Sequence, residues 1–216
     1  MTTQAHAGVL GALAAHVLVP VVVVRDVPDA ALLADVLVTG GLPVAEVTLR
    51  TPAAVDAIRA MSDRDDILVG AGTVLTASQV DSAVAAGARF VVSPGLSQAV
   101  VERCGELGVA ALPGAATATE VQAAIELGFD TVKFFPASTS GGPAAIKALA
   151  APFGAVSFLP TGGIGPADLA DYLAVPSVVG VGGSWMIPPD RVAARDRLTL
   201  AHLVSSAVAA VRNIRP

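Results

Sequence analysis

Of the thirteen basic residues in this chain only two are lysines, Lys133 and Lys147. Lys133 stands in the run Phe129-Asp130-Thr131-Val132-Lys133-Phe134-Phe135-Pro136, where burying an ammonium among β-branched and aromatic side chains is costly. Two readings fit that setting. Either the side chain snorkels to an edge or pairs with Asp130, or burial and a neighbouring cation lower its pKa until the free amine can attack a carbonyl carbon. The second candidate is Glu46-Val47-Thr48-Leu49-Arg50. Strand alternation sets Glu46, Thr48 and Arg50 on one face and Val47 and Leu49 on the other. A charged pair on a short apolar strand is a buried structural ion pair or the inside of a site. In a site, Glu46 would move protons and Arg50 would hold a carboxylate through a two-pronged hydrogen bond. The third is a pair of glycine loops, Thr161-Gly162-Gly163-Ile164-Gly165-Pro166 and Gly182-Gly183-Ser184, whose bare N–H groups suit a phosphate, although turns use Gly-Gly for other reasons too.

Positioning these groups together requires a scaffold. Short apolar runs recur at 19–24, 44–49, 67–69, 90–92, 109–112, 131–135, 156–159 and 178–181. Runs apolar on both faces suit parallel strands covered on each side. Ala-rich helical patterns lie between them. Thr51-Pro52 reads as an N-cap followed by proline at the first helical position, with Val55, Ile58 and Met61 on one face. Thr76-x-x-Gln79 and Thr117-x-x-Glu120 fit the capping box. Gly40, Gly87, Gly108 and Gly128 sit where helices should stop. A last long helix is expected over roughly 190–211, with Leu203, Val204, Ala207, Val208 and Val211 as its stripe. A helical extension over about 4–16 would cap the floor. Eight βα units predict an α/β fold, a (β/α)8 TIM barrel over residues 1–216 as a single domain with a short N-terminal helix, in preference to an open doubly wound sheet. Active sites in such barrels gather at the C-terminal strand ends, with phosphate seated after strands 7 and 8. That rule brings Arg25, Glu46, Arg50, Gly70 to Thr73, Ser93-Pro94-Gly95, Pro113-Gly114, Lys133 and both glycine loops to one mouth.

Composition narrows the alternatives. With 216 residues, 54% hydrophobic and 14% charged, the chain is no disordered tail. A net charge of −5 carries no electrostatic footprint for nucleic acid or an anionic membrane. The run 17–24 is interrupted by Pro20 and falls far short of the ~20 residues of a membrane span. Residues 1–16 lack the basic start of a signal peptide. A single cysteine, Cys104, cannot form an internal disulfide, which suits a reducing cytoplasm, and nothing near it activates the thiol. His6, His16 and His202 show no metal-ligand spacing and read as surface or helix-face residues, so no metal is expected. Trp185 reads as packing beside the last strand.

Taken together, Glu46-Val-Thr-Leu-Arg50-Thr51, Val69-Gly-Ala-Gly-Thr73-Val, Ser93-Pro94-Gly95, Val132-Lys133-Phe134-Phe135-Pro136-Ala137, Pro160-Thr161-Gly162-Gly163-Ile164 and Gly182-Gly183-Ser184-Trp185 resemble, from about Pro20 to Met186, the 2-keto-3-deoxy-6-phosphogluconate (KDPG) aldolases, a family that includes 4-hydroxy-2-oxoglutarate (KHG) aldolases. The resemblance implies a class I aldolase with no metal and no cofactor, cleaving the phosphorylated 2-keto-3-deoxy sugar acid to pyruvate and glyceraldehyde 3-phosphate. It implies Lys133 as the Schiff-base lysine and Glu46 as the general acid and base. Arg50, Thr73 and Thr161 fall near the pyruvate half, Pro94 and Phe135 shape the pocket, and Gly162, Gly163, Gly183 and Ser184 hold the phosphate. It also implies a homotrimer, cytoplasmic, with no nucleic acid or membrane partner. Ala115-Ala116 after Pro113-Gly114, where some relatives carry a bulkier residue, and Arg25-Asp26, where some are Lys-rich, bear on substrate choice. The alternatives are 4-hydroxy-2-oxoglutarate or the galactonate form as substrate, a phosphosugar isomerase or epimerase on the same loops, and a non-catalytic scaffold barrel. Metal-using isomerases need His and acidic ligands that these strand ends do not supply, and a scaffold has no need of a buried amine.

Overall fold

The computed structural model describes residues 4–215, with side chains from residue 7. The strands are β1 (Leu18–Val22), β2 (Val44–Thr48), β3 (Leu68–Gly72), β4 (Phe90–Val92), β5 (Ala110–Leu112), β6 (Gly114–Ala115), β7 (Thr131–Phe134), β8 (Ser157–Pro160) and β9 (Val181–Gly183). All their pairings are parallel. They form a six-stranded sheet in the order β5-β4-β3-β2-β1-β9 and a three-stranded sheet in the order β6-β7-β8. Both sheets are α/β layers: from β1 to β8 every strand except β5, which runs on into β6, is followed by a helical segment that returns the chain to the start of the next. The helices are α1 (Gln4–His16), α2 (Pro28–Thr39), α3 (Ala54–Ser62), α4 (Ala77–Ala85), α5 (Gln98–Leu107), α6 (Ala118–Glu126), α7 (Gly142–Ala150), α8 (Leu169–Leu173), α9 (Pro189–Ala193) and α10 (Arg197–Ile214).

The two sheets meet at two seams. At one, Pro113 divides β5 from β6. Proline has no N–H to give the ladder, yet its carbonyl still accepts from the Lys133 N–H at 2.8 Å. At the other, isolated parallel bridges join Phe158 to Val178 and Thr161 to Gly182. Strands β1 and β2 are buried along their whole length, as two-sided apolar runs require. On the helix-facing side Phe134 and Phe158 meet edge to face, with centroids 6.4 Å apart. Helix α1 buries Leu13 and lies beside Asp130, Thr131 and Val179, so it covers the N-terminal strand ends as expected. Among the described residues no helix is long and apolar enough to cross a membrane.

Several local expectations change. Thr51 is not a side-chain cap: its hydroxyl donates across to the Val24 carbonyl, and α3 begins at Ala54 after a turn. Thr76 does cap α4, accepting from the Gln79 N–H, but the Gln79 side chain reaches back to the Leu75 N–H instead. The Thr117–Glu120 capping box is complete. The expected last helix is two: Arg195 takes a left-handed φ of 50°, and the Asp196 carboxylate accepts from the Thr199 N–H to start α10 afresh. The expected stripe on α10 buries Val204, Ala207 and Val211, with Leu200 added. The last strand starts at Val181 rather than 178, because Val181 donates to the Val17 carbonyl and pairs with Leu18 of β1. Gly182 and Gly183 are therefore strand residues, not a loop after it. Likewise Gly70 and Gly72 belong to β3. His16 ends α1 half-buried, with its pKa lowered by burial, and His202 is exposed on α10. The expectation for His6 lies outside the described side chains. Cys104 is buried on α5, and burial pushes its thiol up to about 12.

Near the end of the chain Arg215 donates to the carbonyls of Leu173 (2.6 and 3.2 Å) and Val178 (3.0 Å). These bonds tie α10 to the segment that feeds β9. Arg215→Ala should therefore cost about 1–3 kcal/mol, a fall in melting temperature of roughly 2–10 °C, measured by thermal unfolding.

Candidate active site

Lys133 on β7 and Glu46 on β2 point into the interior between the sheets. The Lys133 Nζ donates to Glu46 Oε1 at 3.0 Å, with the two side chains 6% and 1% exposed. The second carboxylate oxygen, Oε2, is buried with no hydrogen-bond partner. Room for this carboxylate comes from β3. A Cβ on Gly72 would collide with Glu46 Cγ and Oε1, and a Cβ on Gly70 would collide with the Phe90 ring. The Phe135 ring stands 5.3 Å from Lys133 Nζ, close enough for its π face to attract the ammonium. Asp130, offered by the sequence as a partner for Lys133, instead accepts from the Thr131 hydroxyl.

Past the end of β2 the side chain of Arg50 is exposed, and its Nε donates to Thr73 Oγ1 at 3.1 Å. Thr48, between Glu46 and Arg50, is buried and donates to the Val22 carbonyl at 3.1 Å. Arg50 lines an open cavity of about 230 Å³ with Phe135, Thr161, Gly162, Gly163, Gly183 and Ser184. The same cavity takes in Ile164 and Gly182 of the two glycine runs, and Val21, which was not singled out from sequence. Thr161 Oγ1 is buried and unpartnered there. Pro94 lies in the turn after β4 outside this lining, and its carbonyl fills the space where Gly114 lacks a side chain. Arg25 borders a separate small cleft with Asp26, Asp29 and Arg195, in which Arg195 donates to Asp29 at 3.3 Å.

One end of the cavity presents backbone N–H groups. Among the described residues, Gly162, Gly163 and Ile164 donate no backbone hydrogen bond within the protein. Gly162 and Gly163 both have left-handed φ, 103° and 72°, and their missing side chains are replaced by the Phe135 ring and the Ser138 hydroxyl. N–H groups left unpaired in a turn can line a concavity that suits an anion. On the facing strand the Trp185 indole occupies the space above Gly183. Among the described residues, no group of three or more His, Cys, Asp and Glu gathers as a metal would need.

The buried amine and carboxylate, with Arg50 and the left-handed glycines beside them, lie within the stretch of chain that resembles known proteins. The family model "Aldolase: KDPG and KHG aldolase" matches residues 11–203. The chain belongs to the KDPG and KHG aldolase family. A curated relative in Treponema pallidum, 2-dehydro-3-deoxy-phosphogluconate aldolase, is 51% identical over 179 residues, covering 82% of this chain and 85% of the relative. The KDPG aldolase of Legionella pneumophila, solved with pyruvate captured at low pH as a covalent carbinolamine intermediate, superposes with a TM-score of 0.89 at 37% identity, over 96% of this chain and 99% of that one. That of Zymomonas mobilis ZM4, solved with 3-phosphoglycerate, has a TM-score of 0.85 at 44% identity, over 89% and 90%. Within this aldolase, the positions that sequence reading missed are mostly glycines or apolar residues. Gly72 carried a signal, since a strand with two glycines must face something bulky, but nothing in the pattern said that the bulk was Glu46.

Adding a methyl at Gly163 would meet Ser138 Oγ and force a left-handed alanine, a cost of about 1–2 kcal/mol. Gly163→Ala should weaken capture of inorganic phosphate by roughly five- to thirtyfold. Quenching of Trp185, the sole tryptophan and in contact with Gly183, is the readout. An unchanged affinity would place the anion elsewhere.

Proposed function

We propose that the chain is a class I, metal-free aldolase that cleaves 2-keto-3-deoxy-6-phosphogluconate to pyruvate and glyceraldehyde 3-phosphate, acting as one (β/α)8 barrel domain whose two sheets close at the Pro113 and Gly182 seams. The observation that carries this reading is the buried Lys133–Glu46 contact at 3.0 Å beside the cavity. In a dry interior a lysine next to a carboxylate can hand over its ammonium proton and become a nucleophile. The free amine adds to the C2 ketone of the sugar acid, and Glu46 gives its proton to the departing hydroxyl, so that loss of water leaves a protonated imine and an ionised Glu46. Glu46 then takes the C4 hydroxyl proton, the C3–C4 bond breaks into the imine, and the aldehyde departs. The enamine left on Lys133 is protonated at C3 from Glu46, and hydrolysis frees pyruvate and the amine.

The remaining residues take the roles their places support. Arg50 holds the C1 carboxylate, with Thr73 and Thr161 close by. Phe135 forms the wall beside the amine, and Pro94 shapes the neighbouring turn. Gly162, Gly163, Gly183 and Ser184 seat the phosphate, so remote binding energy is available at the reacting end. That anion seat favours the phosphorylated sugar acid over 4-hydroxy-2-oxoglutarate. The working assembly is a homotrimer in the cytoplasm, as the family resemblance implies.

Borohydride added with pyruvate should leave a reduced adduct on Lys133, seen by peptide mass, and Lys133→Met should abolish both adduct and turnover. Absence of the adduct from the intact protein would refute the covalent route. Glu46→Gln should still form some adduct while slowing cleavage by about 10²–10⁴-fold.

A further inference from the structure

The chain that leaves β7 after Lys133 runs on beside the glycine turn that follows β8. Thr161 donates to the Phe134 carbonyl at 2.9 Å, Ala137 donates back to the Thr161 carbonyl at 2.9 Å, and Ser138 donates to the Gly162 carbonyl at 3.0 Å. The segment making these bonds is itself held. Ala137 is buried, its carbonyl accepts from the Gly142 N–H at 3.0 Å, and the Pro136 carbonyl accepts from the Ser140 N–H at 3.0 Å, which closes the turn into α7. A trans peptide keeps its C=O and the following N–H antiparallel in one plane. The Thr161–Gly162 and Gly162–Gly163 peptides are both trans. With both carbonyls anchored toward Ala137 and Ser138, the N–H groups of Gly162 and Gly163 face the opposite way. Ala137 and Ser138 lie outside the cavity lining, whereas Gly162 and Gly163 belong to it. The Ser138 side chain, exposed and packed where Gly163 lacks a Cβ, backs the same turn.

We propose that Ala137 and Ser138 are positioning residues that act through their backbone N–H groups: by anchoring the carbonyls of Thr161 and Gly162 they aim the Gly162 and Gly163 N–H groups into the cavity, so that the strand carrying the amine also sets the orientation of the anion-facing turn. This rests on the reading above only in taking that anion to be the substrate's phosphate. Discrimination between phosphorylated and unphosphorylated sugar acids then depends on two main-chain donors that never touch the ligand, and the Ser138 hydroxyl is not needed for it.

The test reads inorganic phosphate by quenching of Trp185 and, separately, pyruvate by borohydride trapping, both on the full chain. Two changes delete the Ser138 donor. Ser138→Pro removes the N–H, and replacement of Ser138 by its α-hydroxy acid puts an ester oxygen there while keeping the side chain. Each should weaken phosphate by roughly two- to twelvefold, the worth of one hydrogen bond, and raise KM for the phosphorylated sugar acid by a similar factor with kcat little changed. Pyruvate trapping should stay within about twofold of the wild type, as for a site that shares no partner with the change. Ser138→Ala, which keeps the N–H, should bind phosphate to within about twofold of the wild type. Should the proline variant not fold, the ester variant decides alone. An ester variant that binds phosphate as the wild type does would overturn the proposal. So would a Ser138→Ala variant that loses as much as the ester variant, or equal losses of phosphate binding and pyruvate trapping. A wild type that binds phosphate yet gives no pyruvate adduct would refute the covalent mechanism and leave this orienting role standing. A wild type that forms the adduct but does not bind phosphate would refute the proposal and leave the covalent mechanism standing.

Discussion

Two opposite charges sit in an interior that excludes water, and most of the architecture around them follows from that fact. Taking a carboxylate and an ammonium out of water costs several kcal/mol each, and their attraction at 3.0 Å offsets this only while both are present. Apolar replacements in such places are often neutral or better for stability. The Lys133–Glu46 pair is therefore hard to account for as a stabilising device. The fold makes space for it at further expense: β3 gives up a side chain at Gly72, and one oxygen of Glu46 is left without a partner.

The rim follows a different logic. There the cavity is lined by an exposed arginine and by backbone, and their placement depends on what stands behind them. Ser138 and Phe135 occupy the space behind Gly163 and Gly162, while the Trp185 indole backs Gly183. Arg50, with no burial to restrain it, is tethered by the Thr73 hydroxyl. A buried ion pair thus lies beside an open cavity of Arg50, Thr161 and the glycines, with the Phe135 ring bordering both.

Much of this was legible in the residue order because the signals were local. A lysine in an aromatic strand, an alternating Glu-x-Thr-x-Arg and paired glycines at strand ends each carry their meaning within a few residues. Most strands fell where two-sided apolar runs put them. The failures were of two kinds. Some concerned backbone detail: Pro113 splits a strand, Arg195 breaks a helix, and the Thr51 hydroxyl prefers a distant carbonyl to a cap. Others concerned partners far apart in sequence. Alternation shows which face Glu46 occupies, but its contact with Lys133, 87 residues on, depends on how the sheets curl. Local proximity pointed to Asp130 instead.

The seam at Pro113 divides more than hydrogen bonds. Glu46 lies on the strands before it and Lys133 on those after it. A ribosome therefore finishes the acid well before it starts the amine. Until the later strands arrive, the carboxylate can stay hydrated on a half-built sheet, and burial becomes tolerable only when the second charge docks. Docking of the later strands and burial of the carboxylate are thereby one event.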